Sequence, residues 1–258
     1  MGHTRVSHQM LKDSRIPVSA NLTLEVSATG DDATGGLDSP FRQPQAAINW
    51  AIANLDFKCV GRLTISLGAG SFEGVAFDKT IYGLRELFIG GVAGTNIKFV
   101  HSISPTIIHL SNLSFDGTSE QHIEANTGSL IVISGDITLG GNPTGNTRGI
   151  HAFCGSKIIS DGVRITANGT LRGVLNANLQ STMLLTNANL VINATMAAGL
   201  GIINMNNQSH ITFANPTWSG NSPSIRHTAT VYSAIIGANV SAMPGTSTGN
   251  VNTNSIVA

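Results

Sequence analysis

Ser129-Leu-Ile-Val-Ile133, Ser156-Lys-Ile-Ile159, Ser181-Thr-Met-Leu-Leu185 and Ser209-His-Ile-Thr-Phe213 are one phrase written four times. Their leading serines stand 27, 25 and 28 residues apart. A second apolar run follows each: Asp136-Ile-Thr-Leu139, Val163-Arg-Ile-Thr166, Leu190-Val-Ile192 and Pro216-Thr-Trp218. A third precedes each: Ile123-Glu-Ala125, Gly149-Ile-His-Ala152, Gly173-Val-Leu-Asn176 and Gly201-Ile-Ile-Asn204. Three short strands per unit, repeated at a fixed period in the twenties, mark a solenoid. Leucine-rich repeats share the period but need a leucine ladder, which is absent here. Gly and Asn between the runs accept the left-handed backbone of sharp corners, which suits a three-faced coil. No coil can bury its apolar side chains alone, so the next coil must cover them. The expected internal stack is Ile131, Ile158, Leu184 and Ile211. The expected fold is all-β: a right-handed parallel β-helix with one N-terminal capping helix. Roughly seven coils at ~4.8 Å each give a rod only ~35 Å long.

Outward from the repeats, the chain divides into four parts. Residues 61–240 carry the coils, beginning with Leu63-Thr-Ile-Ser-Leu67, Leu87-Phe-Ile89 and Asn96-Ile-Lys-Phe-Val100. Residues 21–60 form a lead-in: a strand at Leu22–Val26, a turn-rich loop, and an amphipathic helix. Ser39-Pro40 is the expected helix start, and Ala47, Ile48, Ala51, Ile52 and Leu55 recur at helical spacing. Trp50 lies off that stripe as a packing residue. Solenoid ends expose strand edges, and this helix is placed to cap the first one. Residues 1–20 are a polar arm with no core of its own. Residues 241–258 are a polar tail, with no helix readable to cap the far end.

The lead-in carries a resemblance. Leu24-Glu-Val-Ser-Ala-Thr-Gly-Asp-Asp, Gly35-Gly-Leu, Pro40-Phe41 and the helix from Gln45 to Ala53 resemble the start of the β-helix in pectate-lyase-like proteins. They are especially similar to bacteriophage tail fibres and tailspikes. Leu63-Thr-Ile-Ser-Leu-Gly-Ala-Gly-Ser-Phe-Glu-Gly74 looks like their first coil, with Phe72 where Tyr is common. Met243-Pro-Gly-Thr-Ser-Thr-Gly249 is similar to a Pro-Gly-Asn-Ser-Ala-Gly type ending of such fibres. The resemblance spans about residues 20–258. It implies a homotrimer on the virion, with residues 1–20 docking on other tail or baseplate proteins. It also implies a structural role in host attachment, with a host surface glycan as the partner to be met. The alternatives are a glycan-degrading tailspike and a non-viral carbohydrate-binding β-helix.

Composition narrows the chemistry. The chain has 258 residues and zero net charge, with only 11% charged residues. No basic patch favours nucleic acid, and no apolar run approaches a membrane span. Met1 to Pro17 lacks the apolar core of a signal peptide, so assembly is expected in the host cytoplasm. Glycan cleavage needs paired carboxylates, yet Asp116, Glu120, Glu124, Asp136 and Asp161 are the acids along most of the repeats. Asp161-Gly162 reads as a turn. Gly245-Thr-Ser-Thr-Gly249 matches a nucleophile-elbow pattern without the strand and helix that motif needs. The eight histidines, His3, His8, His101, His109, His122, His151, His210 and His227, form no metal-ligand spacing. No catalytic residue, metal ligand or cofactor motif is therefore assigned. Cys59 and Cys154 read as two buried free thiols. Aromatics are only 5%, so sugar-stacking platforms are few. Trp218, Arg226 and Tyr232, close in sequence in the last coils, form the expected carbohydrate-binding patch. Core or trimer packing is their plainer role.

Overall fold

The computed structural model describes residues 15–57, 61–117, 119–142, 145–197, 200–222, 224–237, 240–246, 250–251 and 255–257. They form a parallel β-solenoid of about 7 turns. Three parallel sheets of ten, seven and eight strands run along it. We call them face 1, face 2 and face 3. One turn runs Gln121–Ala125 on face 3, Leu130–Ile133 on face 1 and Ile137–Leu139 on face 2. The expected run Asn96–Val100 is split by a corner into Thr95–Ile97 on face 2 and Val100–Ser102 on face 3.

Alternation along each strand sets which side chains enter the core, strictly on face 1 and less so on face 3, where His122 and Asn176 are buried as well. On face 1 the inward stack is Leu63, Leu87, Ile108, Ile131, Ile158, Met183, Ile211 and Ile235. Met183, not Leu184, continues the stack. It lies two residues after its serine, as Ile131, Ile158 and Ile211 do. Leu184 is paired with Ile159 and points outward, 36% exposed. On face 2 Leu113, Ile137, Ile165, Leu190 and Trp218 line up inward. On face 3 the corresponding series is Val100, Ile123, Ile150, Leu175, Ile203 and His227.

The serines lock the corner between faces 3 and 1. Ser129, Ser156, Ser181, Ser209 and Ser233 are all buried. Each hydroxyl donates to a backbone carbonyl: Ser102, Ala125, Asn178, Asn206 and Thr230 respectively. The Ser129 and Ser156 hydroxyls also accept the amides of Asn126 and Phe153. A buried hydroxyl with partners on both sides satisfies the backbone groups that the corner removes from the ladder. Two consecutive residues at each corner are left-handed, beginning with Thr127-Gly128 and Cys154-Gly155. Further along, the pairs are Leu179-Gln180, Asn207-Gln208 and Val231-Tyr232, with no glycine at all. Their strain is held by hydrogen bonds from turn to turn, such as Gln180 N to Asn207 O at 2.9 Å. Cys154 occupies such a corner and is exposed, which corrects the buried reading. Cys59 lies outside the described residues.

Helix α1 runs Pro44–Asn54, with proline in its first turn and Gln43 as its N-cap. It starts after the expected Ser39-Pro40 because Phe41 bridges Val26, holding the chain extended until that point. Ala47, Ile48 and Ala51 are fully buried. Gln43 and Gln45 accept the backbone amides of Glu73 and Ala76 through their side-chain oxygens at 2.9 and 2.8 Å. These amides belong to the first turn on faces 2 and 3, so the helix satisfies open strand edges as well as covering the core. Trp50 packs on Phe41, ring centroids 6.0 Å apart.

Of the N-terminal arm, residues 1–14 lie outside the described residues. Ile16–Pro17 pairs in parallel with Leu55–Asp56. At the other end, Asn250–Val251 adds to face 3 and Ile256–Val257 adds to face 1. Part of the tail thus extends the coil by one more rung. Among the described residues no helix is long and apolar enough to cross a membrane.

Candidate ligand-binding groove

The three sequence-derived candidates lie on three sides of the last turn. Trp218 faces inward at the end of face 2 and meets Phe213 edge-on at 5.2 Å. Arg226 is on face 3, half-buried, and its Nε has no hydrogen-bond partner. Tyr232 sits at the corner between faces 3 and 1, 58% exposed. Among the described residues no ring contact or hydrogen bond joins the three.

The acids are also dispersed. Asp136 and Asp161 stand near the corner between faces 1 and 2. Asp136 Oδ1 accepts the backbone amide of Arg164 at 3.0 Å, and Asp161 Oδ1 accepts the Asn187 amide at 3.0 Å. Both carboxylates therefore serve the turn geometry. Glu124 is on face 3, away from them, and contacts His151 at 3.4 Å. Its carboxyl is held below the usual range, first by the His151 hydrogen bond. The other ring nitrogen of His151 faces Asn178 Nδ2 at 3.2 Å, so it acts as the acceptor there. Among the described residues no group of three His, Cys, Asp or Glu is placed to hold a metal ion.

What face 3 does gather is a polar surface. Its outward row is His101, Glu124, His151, Asn176, Asn204 and Thr228 on successive turns. A second row, Asn126, Phe153, Asn178, Asn206 and Thr230, polar but for the phenylalanine, runs beside it at the corner. Between turns these side chains are joined in short hydrogen-bonded chains. Asn204 Nδ2 donates to Asn176 Oδ1 at 3.2 Å, and Thr228 donates its hydroxyl to Asn204 Oδ1. Thr230 donates to Asn206 Oδ1 at 2.8 Å. The amides of Asn176 and Asn204 also fold back onto the carbonyls of Gly173 and Gly201, at 3.2 and 2.8 Å. Glycine is required at 173. A β-carbon there would lie 2.2 Å from Asn204 Nδ2 and 2.5 Å from Asn176 Oδ1.

Above these rows lies a groove of about 330 Å³, flanked by Arg148 and Arg172 and lined by the amides and threonines of both. Neither guanidinium makes a hydrogen bond or ion pair with another described side chain. The pKa of Arg148 is lowered, first by burial and then by the charge of Arg172; Glu124 and Glu120 offset this less. A second recess of about 240 Å³ adjoins at the corner, lined by Leu179, Gln180, Asn207, Gln208 and Val231. None of Trp218, Arg226 and Tyr232 is among the residues that line these recesses, although Tyr232 follows Val231 in the chain.

The groove residues were readable in the repeat. Counting back five from each serine gives Glu124, His151, Asn176, Asn204 and Thr228; counting back three gives Asn126, Phe153, Asn178, Asn206 and Thr230. Those columns stay almost wholly polar, while the column between them is Ala125, Ala152, Ala177, Met205 and Ala229, all buried. No family model, no curated protein and no solved structure matches this chain. Fold and groove together define a short parallel β-solenoid with a polar lateral groove.

Proposed function

We propose that this chain is a structural spike or short tail fibre of a bacteriophage. It works as a homotrimer on the virion tail and contributes to host attachment. The observation that carries this reading is the groove on face 3: hydrogen-bonding groups repeated turn by turn on a rigid scaffold. Such a comb can bind a polymer with a repeating structure, such as a surface glycan. The lead-in resemblance of residues 24–53 supports the phage assignment. Asp136 and Asp161 are committed to backbone and side-chain partners away from the groove, which favours binding over cleavage.

The outer surface of face 1 supports the trimer. Phe88, His109, Val132, Ile159 and Leu184 form one outward row along the solenoid, with Ile236 further along the same row. Leu184 and Ile236 are 36% and 46% exposed. A row of apolar side chains on a sheet face suits burial against other copies. Light scattering of the purified chain tests the assembly. The expected mass is three times the 26.8 kDa of one chain. A monomer at micromolar concentration contradicts the reading.

A further inference from the structure

We infer that the groove on face 3 takes an acidic saccharide, with its carboxylate between Arg148 and Arg172 and its hydroxyls on Asn178 and Asn206. The inference rests on the attachment reading and names the kind of glycan that reading requires.

The floor and the rim of the groove have different roles. Asn176 and Asn204 form the floor, and their polar atoms are occupied. Asn204 Nδ2 donates to Gly201 O, Arg172 O and Asn176 Oδ1, while its Oδ1 accepts from Gly201 N and Thr228. Asn176 Nδ2 donates to Ile150 O and Gly173 O. These amides are fixed and have little left to offer a ligand. The rim has capacity to spare. Asn178 uses its Nδ2 on His151, and no described group donates to its Oδ1. Asn206 accepts from Thr230 and has no described acceptor for its Nδ2. One acceptor and one donor thus stand free on adjacent turns, ~4.8 Å apart along the solenoid. That spacing is close to the length of one pyranose ring, whose hydroxyls both donate and accept.

The arginines select for charge. They stand close enough for Arg172 to lower the pKa of Arg148, and neither has a carboxylate partner among the described residues. Two like charges line the groove, offset only in part by Glu124 and Glu120 and without a direct ion-pair partner among the described residues, and an anion relieves them. Guanidinium groups bind a planar carboxylate with paired, charge-assisted hydrogen bonds. A neutral sugar would leave the repulsion in place. Asn and Thr elsewhere in the groove add no charge, so selectivity for an acidic sugar falls on these two residues.

Biolayer interferometry with the full chain tests this. Polygalacturonate, alginate and hyaluronan are immobilised, each beside its carboxyl-methylated ester. Binding to at least one acidic polymer is expected, weakened by at least about 10-fold in the ester and by added salt. The double variant Arg148→Gln/Arg172→Gln should bind acidic and esterified forms alike. Asn206→Ala should weaken both forms, because it removes a hydroxyl contact. The thermal midpoint of each variant, measured alongside, guards against misfolding, and Arg172→Lys should keep the preference for charge in part. Equal binding of acid and ester by the wild-type chain overturns the inference while leaving glycan attachment standing. So does a charge preference that survives the double variant. Binding to none of the six polymers overturns it too, and the trimer measurement then judges the spike reading separately.

Discussion

Lowering the pH should destabilise this fold well before its carboxylates protonate, and His122 is the main cause. Its side chain is fully buried, stacked on Phe115 with ring centroids 5.3 Å apart, and neither ring nitrogen has a partner. Burial lowers its pKa from 6.5 to about 4. A base with a depressed folded pKa binds its proton more readily when unfolded. Its contribution is therefore intact above pH 6.5 and is lost as pH falls from 6.5 towards 4. At 1.36 kcal/mol per pH unit, the loss between pH 7 and pH 4 is about 3 kcal/mol. For a chain of this size that is roughly 6–12 °C in thermal midpoint. His101, His109 and His227 are lowered as well, chiefly by burial, and act in the same direction. Glu124, whose pKa is also lowered, adds a further loss below the usual carboxylate range. The assay is denaturant unfolding at pH 7, 6, 5 and 4, for the wild type and His122→Leu. The variant should lose about 3 kcal/mol of the difference in stability between pH 7 and pH 4. The other groups should leave a smaller slope. If His122→Leu keeps the full wild-type slope, the ring is hydrated or protonated in the native state and the reasoning fails.

Other substitutions probe register, corner and groove. Met183→Ala should cost ~2–5 kcal/mol by leaving a cavity in the face 1 stack. Leu184→Ala, measured by the same denaturant melts, should cost far less in any monomer and should weaken self-association at low protein concentration. Ser156→Ala should cost ~1–3 kcal/mol, because Ala125 O and the Phe153 amide both lose their buried partner. Gly173→Ala should displace the Asn176 and Asn204 amides, visible as lost glycan binding in interferometry and as a lower thermal midpoint.

The repeat made the fold legible because each serine has a structural task. A buried hydroxyl that satisfies corner carbonyls cannot drift, so it keeps its place in the five units from Ser129 to Ser233. Register was legible too, but only by a strict count from that serine. Leu184 is a better core residue than Met183 on hydrophobicity alone, and that preference misplaces the stack by one position. The groove was less visible. Its residues come from three or four turns, and only the parallel register brings positions 24 to 28 apart into contact. Arg148 and Arg172 do not share a column of the repeat: one lies eight residues before its serine and the other nine. Trp218, Arg226 and Tyr232 seemed grouped because they are near in sequence. In a solenoid, neighbours along the chain go to different faces, and neighbours in space are one period apart.

The proposed function requires a β-solenoid that binds a surface glycan without cutting it. Chromatography with light-scattering detection, applied to the full chain mixed with the acidic polymer it binds best, tests both parts at once. The protein should co-elute with the polymer, and the polymer should keep its length over many hours. A polymer that shortens, in a reaction abolished by Asp136→Asn or Asp161→Asn, would contradict the proposed function and make the chain a depolymerase.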